Sequence, residues 1–279
     1  DSTRIGLDVA RWMADGLVDI VVVGGGHIPF ETPVREFVEA ARGTDCLVYG
    51  CITASRYLDS RNIRALASRF LSHGAAGTYL YNFYTMSREW NERTFSEISD
   101  PGTLSRLDKC YELDRTGPFY PCRDHGCAFR YASPSAQLPI ALKEDYSGRG
   151  PVLRVEINDD LEAASAAGFL GSCGLSLKFD NFTEDDELQV RINEETLSWD
   201  AARVSFDGWT ELHVESWHKY PTDPVEYHQD GISVEYDLGC PPLKEGVNEL
   251  EVQLVSRVPK QRDQVIFHRV GVTITYNHV

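Results

Sequence analysis

The sequence predicts two regions of different class, an α/β region followed by an all-β region. Three observations carry this. Gly16, Gly43 and Gly74 each separate a helical pattern from a strand pattern, and the period of roughly 30 residues is that of parallel βα units in a TIM barrel or doubly wound sheet. The segment 117–139 then holds four prolines and two glycines with little periodicity, and reads as a linker. Beyond it the apolar pattern switches to period two, the mark of an antiparallel sandwich.

Asp8–Ala14 is a short helix with Gly16 as its left-handed stop. Leu17–Val23 is nearly all β-branched, as expected of a parallel strand buried on both faces. Gly24, Gly25 and Gly26 open a loop that carries His27, Phe30 and Glu31. Thr32 caps the next helix, with Pro33 at its first position. Val34, Phe37, Val38 and Ala41 share one helical face, and Gly43 ends it.

Cys46–Thr53 is the second strand, and Asp59 or Ser60 caps a helix with Ile63, Leu66, Ala67, Phe70 and Leu71 on its apolar face. Gly74 launches the third strand, which runs through Thr78–Phe83. Along it Tyr79, Tyr81 and Phe83 share one side, and Leu80, Asn82 and Tyr84 the other. Helices follow at Ser87–Ser99 and from Asp100-Pro101 to about Leu107, and Lys109–Asp114 closes the region.

In the all-β region strands are expected at Pro151–Ile157, around Leu175, Leu177 and Phe179, and around Leu188, Val190 and Ile192, with Asn193-Glu194 as a turn. Trp209–Trp217, Ile232–Leu238, Val247–Val255 and Val265–Tyr276 complete a series of roughly eight strands, which fits a jelly roll. The expected domains are 1–116, the late βα units, 117–138, the linker, and 139–279, an accessory β-sandwich.

A net charge of -16 over 279 residues disfavours nucleic acid and anionic membrane surfaces as partners, and neutral ligands fit better. No apolar run approaches the roughly 20 residues of a membrane span. Seven cysteines, odd in number and sparsely spaced, do not read as a disulfide framework, although Cys122 and Cys127 could pair with each other in a secreted chain. Cys122 and Cys127 with His125 lack a matching second half for zinc, so no metal is expected. Gly24–Gly26 has neither the spacing nor the directly following helix of a dinucleotide loop, and no cofactor is expected.

Several stretches resemble bacterial barrels similar to family 10 glycoside hydrolases. Gly6–Ile20 is similar to the segment before a late barrel strand, Gly74–Phe83 to their final strand, and Glu97–Tyr111 to the tail that follows it. Pro242–Leu250 resembles the last-but-one strand of an appended β-sandwich. The resemblance implies the C-terminal part of a (β/α)8 barrel followed by an antiparallel jelly-roll-like β-sandwich. Leu17–Val23, Cys46–Thr53 and Thr78–Phe83 would be strands six to eight. Asp1 begins in mid-pattern, so the chain reads as N-terminally truncated.

The implied function is that of a glycoside hydrolase-like protein acting on a poly- or oligosaccharide. Its catalytic carboxylates are expected upstream, because the three strand ends carry Gly24, Thr53 and Asn82, none a carboxylate. The alternative is a non-catalytic carbohydrate-binding protein or pseudoenzyme. A flavin barrel would need a phosphate-binding glycine loop near the last two strands, and no glycine falls between Thr53 and Gly74.

Five residues are the candidates for sugar contacts. His27, on the glycine loop, can donate to a hydroxyl or shuttle a proton, and Glu31 can act as an acid. Asn82 can hold a hydroxyl from both sides, and the rings of Tyr84 and Trp90 suit the apolar face of a pyranose. Each also has a plain structural use: a solvated loop His, a Glu serving a helix dipole, an Asn bonding loop backbone.

Overall fold

The computed structural model describes residues 6–24, 30–53, 59–114, 117–118, 130–131, 137–143, 149–213, 225–257 and 263–277. The chain divides into two compact units. One comprises Asp1–Ser105 and His213–Val225, the other Arg106–Leu212 and Glu226–Val279.

In the first unit three strands, β1 (Ile20–Val23), β2 (Leu47–Thr53) and β3 (Gly77–Tyr81), form a parallel sheet in the order β1-β2-β3. Helices α1 (Val9–Ala14), α2 (Val34–Ala40) and α3 (Ser60–Ser72) alternate with them. The glycines at the helix stops do have positive φ, 66° at Gly16, 78° at Gly43 and 88° at Gly74. Asp59 caps α3 in a reciprocal capping box with Asn62. One face of the sheet carries the buried residues Val23, Val48 and Ile52. α3 covers it so closely that a Cβ at Gly50 would lie 2.1 Å from the Phe70 ring.

Beyond β3 a 3-10 turn, Phe83–Thr85, leads to α4 (Arg88–Ser99), capped by Ser87, and α5 (Pro101–Leu104), capped by Asp100. Arg64 of α3 donates to Glu97 of α4 through two bonds, of 2.9 and 2.8 Å. The Trp90 ring is 4% exposed and packs on Phe83 with centroids 5.6 Å apart.

In the second unit the strands are β4 (Lys109–Glu112), β5 (Gly117–Pro118), β6 (Arg130–Tyr131), β7 (Ile140–Leu142), β8 (Val152–Ile157), β9 (Leu170–Asp180), β10 (Glu187–Ile192), β11 (Glu195–Leu197) and β12 (Arg203–Ser205). β15 (Ile232–Leu238), β16 (Gly246–Ser256) and β17 (Val265–Tyr276) follow β13 (Trp209–His213) and β14 (Val225–Gln229), which pair with each other. A helix, α6 (Leu161–Ala166), interrupts the series. One antiparallel sheet has the order β11-β10-β16-β8, the other β12-β15-β9-β17-β4, with β7 also on β17. The Asn193-Glu194 turn joins β10 to β11 with φ of 48° and 72°, as a tight hairpin of the primed type requires.

Alternate residues of these strands are buried. Leu175, Leu177 and Phe179 of β9, Val190 and Ile192 of β10, and Val270, Val272 and Ile274 of β17 all point into the core. Phe179 stacks on Phe267 at 4.7 Å and on Phe182 at 5.6 Å. These two sheets make a β-sandwich.

The expected fold class needs correction. Among the described residues the chain is mostly β-sheet with six short helices, and they form no (β/α)8 barrel. The three parallel strands make an open sheet with β1 and β3 at its edges among the described residues, and a sheet of three cannot close on itself. Nor are these strands buried on both faces: Ile20, Val22, Leu47, Tyr79 and Tyr81 are each 43–55% exposed. Lys109–Glu112, placed by the sequence at the end of the first region, pairs with β17 instead.

That pairing carries a buried ionic cluster. Lys109 is fully buried, and its Nζ lies 3.0 Å from Asp159 Oδ1 while donating to the Leu107 carbonyl at 3.1 Å. The Tyr111 hydroxyl donates to Asp159 Oδ2 at 3.1 Å, and the Tyr276 ring lies 4.9 Å from the ammonium. Burial pushes the Asp159 carboxyl above its ordinary value even though Lys109 pulls it down.

Two outcomes are expected from urea denaturation. Lys109→Met strands the Asp159 charge and costs about 3–5 kcal/mol, while Lys109→Met with Asp159→Leu recovers most of the loss; a double variant as unstable as the single one would contradict this account. Trp90→Ala opens a cavity against Phe83 and costs about 3–5 kcal/mol; a loss under 1 kcal/mol would remove Trp90 from the core.

Candidate functional site

The period of two that buries Val48, Gly50 and Ile52 turns Leu47, Tyr49, Cys51 and Thr53 to the other face of the three-stranded sheet. Parallel pairing sets Cys51 beside Tyr79 and Thr53 beside Tyr81. On the far side Ile20 pairs with Leu47, and Val22 with Tyr49. The result is one continuous face, mostly aromatic and aliphatic, that carries no charged side chain among the described residues.

Close backbone approaches shape it. At Gly77 an added Cβ would lie 2.8 Å from the Tyr49 ring, so that ring leans over β3. At Gly24 an added Cβ would lie 2.4 Å from Cys51 Cβ. Both positions leave room only for glycine. Tyr79 and Tyr81 stand two residues apart, 47% and 50% exposed, each held along half its surface. Burial pushes the Cys51 thiol up, which suits a small apolar neighbour rather than a thiolate.

Asn82 ends β3 in the left-handed conformation, φ 64°. This short polar residue tolerates the conformation and turns the chain sharply into Phe83–Thr85. Asn91 donates from Nδ2 to the carbonyls of Phe83 at 3.0 Å and Met86 at 3.4 Å, which pins the turn. Phe83 then goes inward to Trp90, and Tyr84 outward, 75% exposed.

The sequence candidates therefore separate. Asn82 and Tyr84 lie together at the end of β3. Trp90 lies beneath the same turn, inside the core. Glu31 lies in the turn before α2, partly buried. His27 falls outside the described residues, as do Cys122 and Cys127. The two tyrosines of the sheet face were not among the candidates, although their i, i+2 spacing in a strand was the signal for them.

The described strand ends, Gly24, Thr53 and Asn82, bring no carboxyl pair together, and glycosidic cleavage of the usual kind needs two. Among the described residues no group of three or more His, Cys, Asp or Glu side chains could hold a metal ion. No described helix is long and apolar enough to cross a membrane.

No family model matches the chain, and no curated protein matches it. Solved structures give distant likenesses. One is the CBM36-1 domain of a multidomain xylanase from the hindgut metagenome of Trinervitermes trinervoides, 10% identical, covering 62% of this chain and 99% of that one at a TM-score of 0.20. A family 35 carbohydrate binding module from Clostridium thermocellum is 14% identical over 48% of this chain and 85% of its own, with a TM-score of 0.19. A cycloisomaltooligosaccharide glucanotransferase from Paenibacillus sp. is 10% identical, covering 85% of this chain and 29% of that chain at a TM-score of 0.21. Superposition at this level sets no residue-by-residue correspondence, and the likeness to family 10 barrels finds no support in it.

Proposed function

We propose that this chain is a non-catalytic carbohydrate-binding protein, and that the open face of the three-stranded sheet holds a neutral oligo- or polysaccharide. The exposed pair Tyr79 and Tyr81 carries the reading. Flat rings offer their faces to the C–H surface of a pyranose, and a ring held along half its area loses little freedom on binding. Thr53, in register with Tyr81, and Asn82 at the strand end add polar groups that orient the sugar hydroxyls. A face without charge among the described residues, on a chain of net charge -16, suits an uncharged ligand and repels polyanions.

Tyr79→Ala with Tyr81→Ala is expected to weaken retardation in affinity gels containing soluble xylan, β-glucan or dextran at least tenfold, a loss of about 1.4 kcal/mol or more. Retardation of the wild type should also persist in 0.5 M NaCl, since a neutral ligand leaves no Coulombic attraction to screen. Unchanged retardation in the double variant sinks the site. Release of reducing sugar from these polymers by purified wild-type chain sinks the non-catalytic reading.

A further inference from the structure

In water an amine and a carboxylic acid exist as a salt, and the salt does not condense. Condensation needs both groups neutral, held against each other and sheltered from solvent. Lys109 and Asp159 meet these needs. Their side chains are 0% and 4% exposed, and Nζ lies 3.0 Å from Oδ1. That contact sets the nitrogen beside Cγ, the atom it has to attack. Burial penalises both charges, so a proton passes readily from the ammonium to the carboxylate. The Asp159 carboxyl is shifted in that direction: burial pushes it up and outweighs the pull of Lys109.

The surroundings hold both reactants in place. The strand period sets Lys109 and Tyr111 on one face of β4, and both are fully buried. The Tyr111 hydroxyl donates to Oδ2 at 3.1 Å, and Tyr276 of β17 bonds to the same carboxyl. These donors are aimed at the oxygens on which negative charge develops when an amine adds to the carbon. The Leu107 carbonyl accepts from Nζ at 3.1 Å and orients the nitrogen. Asp159 itself lies between β8 and α6. Its neighbour Asp160 caps α6 by accepting from the Ala163 amide at 2.9 Å, which fixes the segment.

We infer that Lys109 and Asp159 join in an intramolecular isopeptide bond, made by the chain itself. The neutral amine adds to Cγ of the protonated carboxyl, and one oxygen takes the negative charge against the Tyr111 hydroxyl. The other oxygen then leaves as water, with the carboxyl proton and one proton from the nitrogen, and the C–N bond remains as an amide. Nothing is oxidised or reduced, and no co-reactant is consumed. The ion pair is the reactant: freshly folded chain holds it, and the bridged form accumulates with time.

The bond has a mechanical meaning. β4 ends the strand order of one sheet of the sandwich and β8 ends that of the other. A bridge from β4 to the segment that leaves β8 stitches the two sheets together along one edge. The inference is independent of the saccharide reading, since it involves no ligand.

The test is intact mass spectrometry of the denatured full chain, taken fresh and after several days of incubation. The aged chain should be lighter by one water. Trypsin should then release one joined peptide carrying residues 107–115 and 155–178. The Lys109→Met, Asp159→Leu double variant, its fold checked by circular dichroism, should keep its full mass. Tyr111→Phe should slow the conversion at least tenfold. Unchanged mass in the aged wild type overturns the proposal. A loss of water confined to the single peptide 155–178 also overturns it, because that marks a cyclic imide at an aspartate. The same loss in the double variant does so too, and an unchanged rate in folded Tyr111→Phe removes that hydroxyl from the reaction.

Discussion

The second unit depends on the pairing of its last strand. β17 lies in the interior of the six-strand sheet and takes β9 along one side and β4 and β7 along the other. It therefore joins segments up to 168 residues apart, as the bond from the Tyr276 amide to Asp108 shows. A slip by one residue would bring Gly271, Thr273 and Thr275 into the core in place of Val270, Val272 and Ile274. The bulge at Phe267/Arg269 is part of this register. It keeps Phe267 against Phe179 while turning Arg269 outward to Glu112. One set of backbone pairings thus builds both the apolar core and the polar outer face.

The Lys109–Asp159 cluster sits where that pairing starts. Two charges in the core are expensive, and their attraction alone rarely repays the loss of water. Here the neighbours do the rest. Tyr111 and Tyr276 both bond to Asp159, and the Leu107 carbonyl accepts a hydrogen bond from the ammonium. Lys109 and Tyr111 are alternate residues of one short strand, so the cluster can form only when β4 lies in its observed register. Hydrophobic burial would tolerate several placements of so short a strand, whereas the ion pair accepts one.

What was legible in the sequence follows from how local each signal is. Helix stops at Gly16, Gly43 and Gly74 need only the conformational freedom of one residue, and all three lie at positive φ. Ile232–Leu238 and Val265–Tyr276 were readable to the residue, because period-two alternation runs through the first and through Val270–Tyr276 of the second, although the bulge at Phe267/Arg269 that shifts the inward set was not. Barrel closure is not local. A βα unit has the same pattern in an open sheet of three strands as in a closed one of eight. The run Ile20–Val23 is uniformly apolar, yet its burial alternates, since β-branched residues suit a strand whether one face or two are covered. Trp90 illustrates the same limit within the site. Its place beneath the turn depends on the left-handed Asn82 and on Asn91 pinning the carbonyls that follow, which no spacing rule expresses.

The outward faces of the two sheets are built in opposite ways. A neutral sugar gives a protein little charge to seize, so affinity must come from stacking or from many oriented hydrogen bonds. On the three-stranded sheet the outward positions are Tyr79, Tyr81 and their aliphatic neighbours, and stacking is what they can supply. On the sandwich the outward positions at the centre are Gly174, Ser176 and Gly271, with matched ion pairs on both flanks. Pairing each cation with a carboxylate matters in a chain with 43 acidic and 27 basic residues. In both places the strand period that hides the core also decides which chemistry faces the solvent.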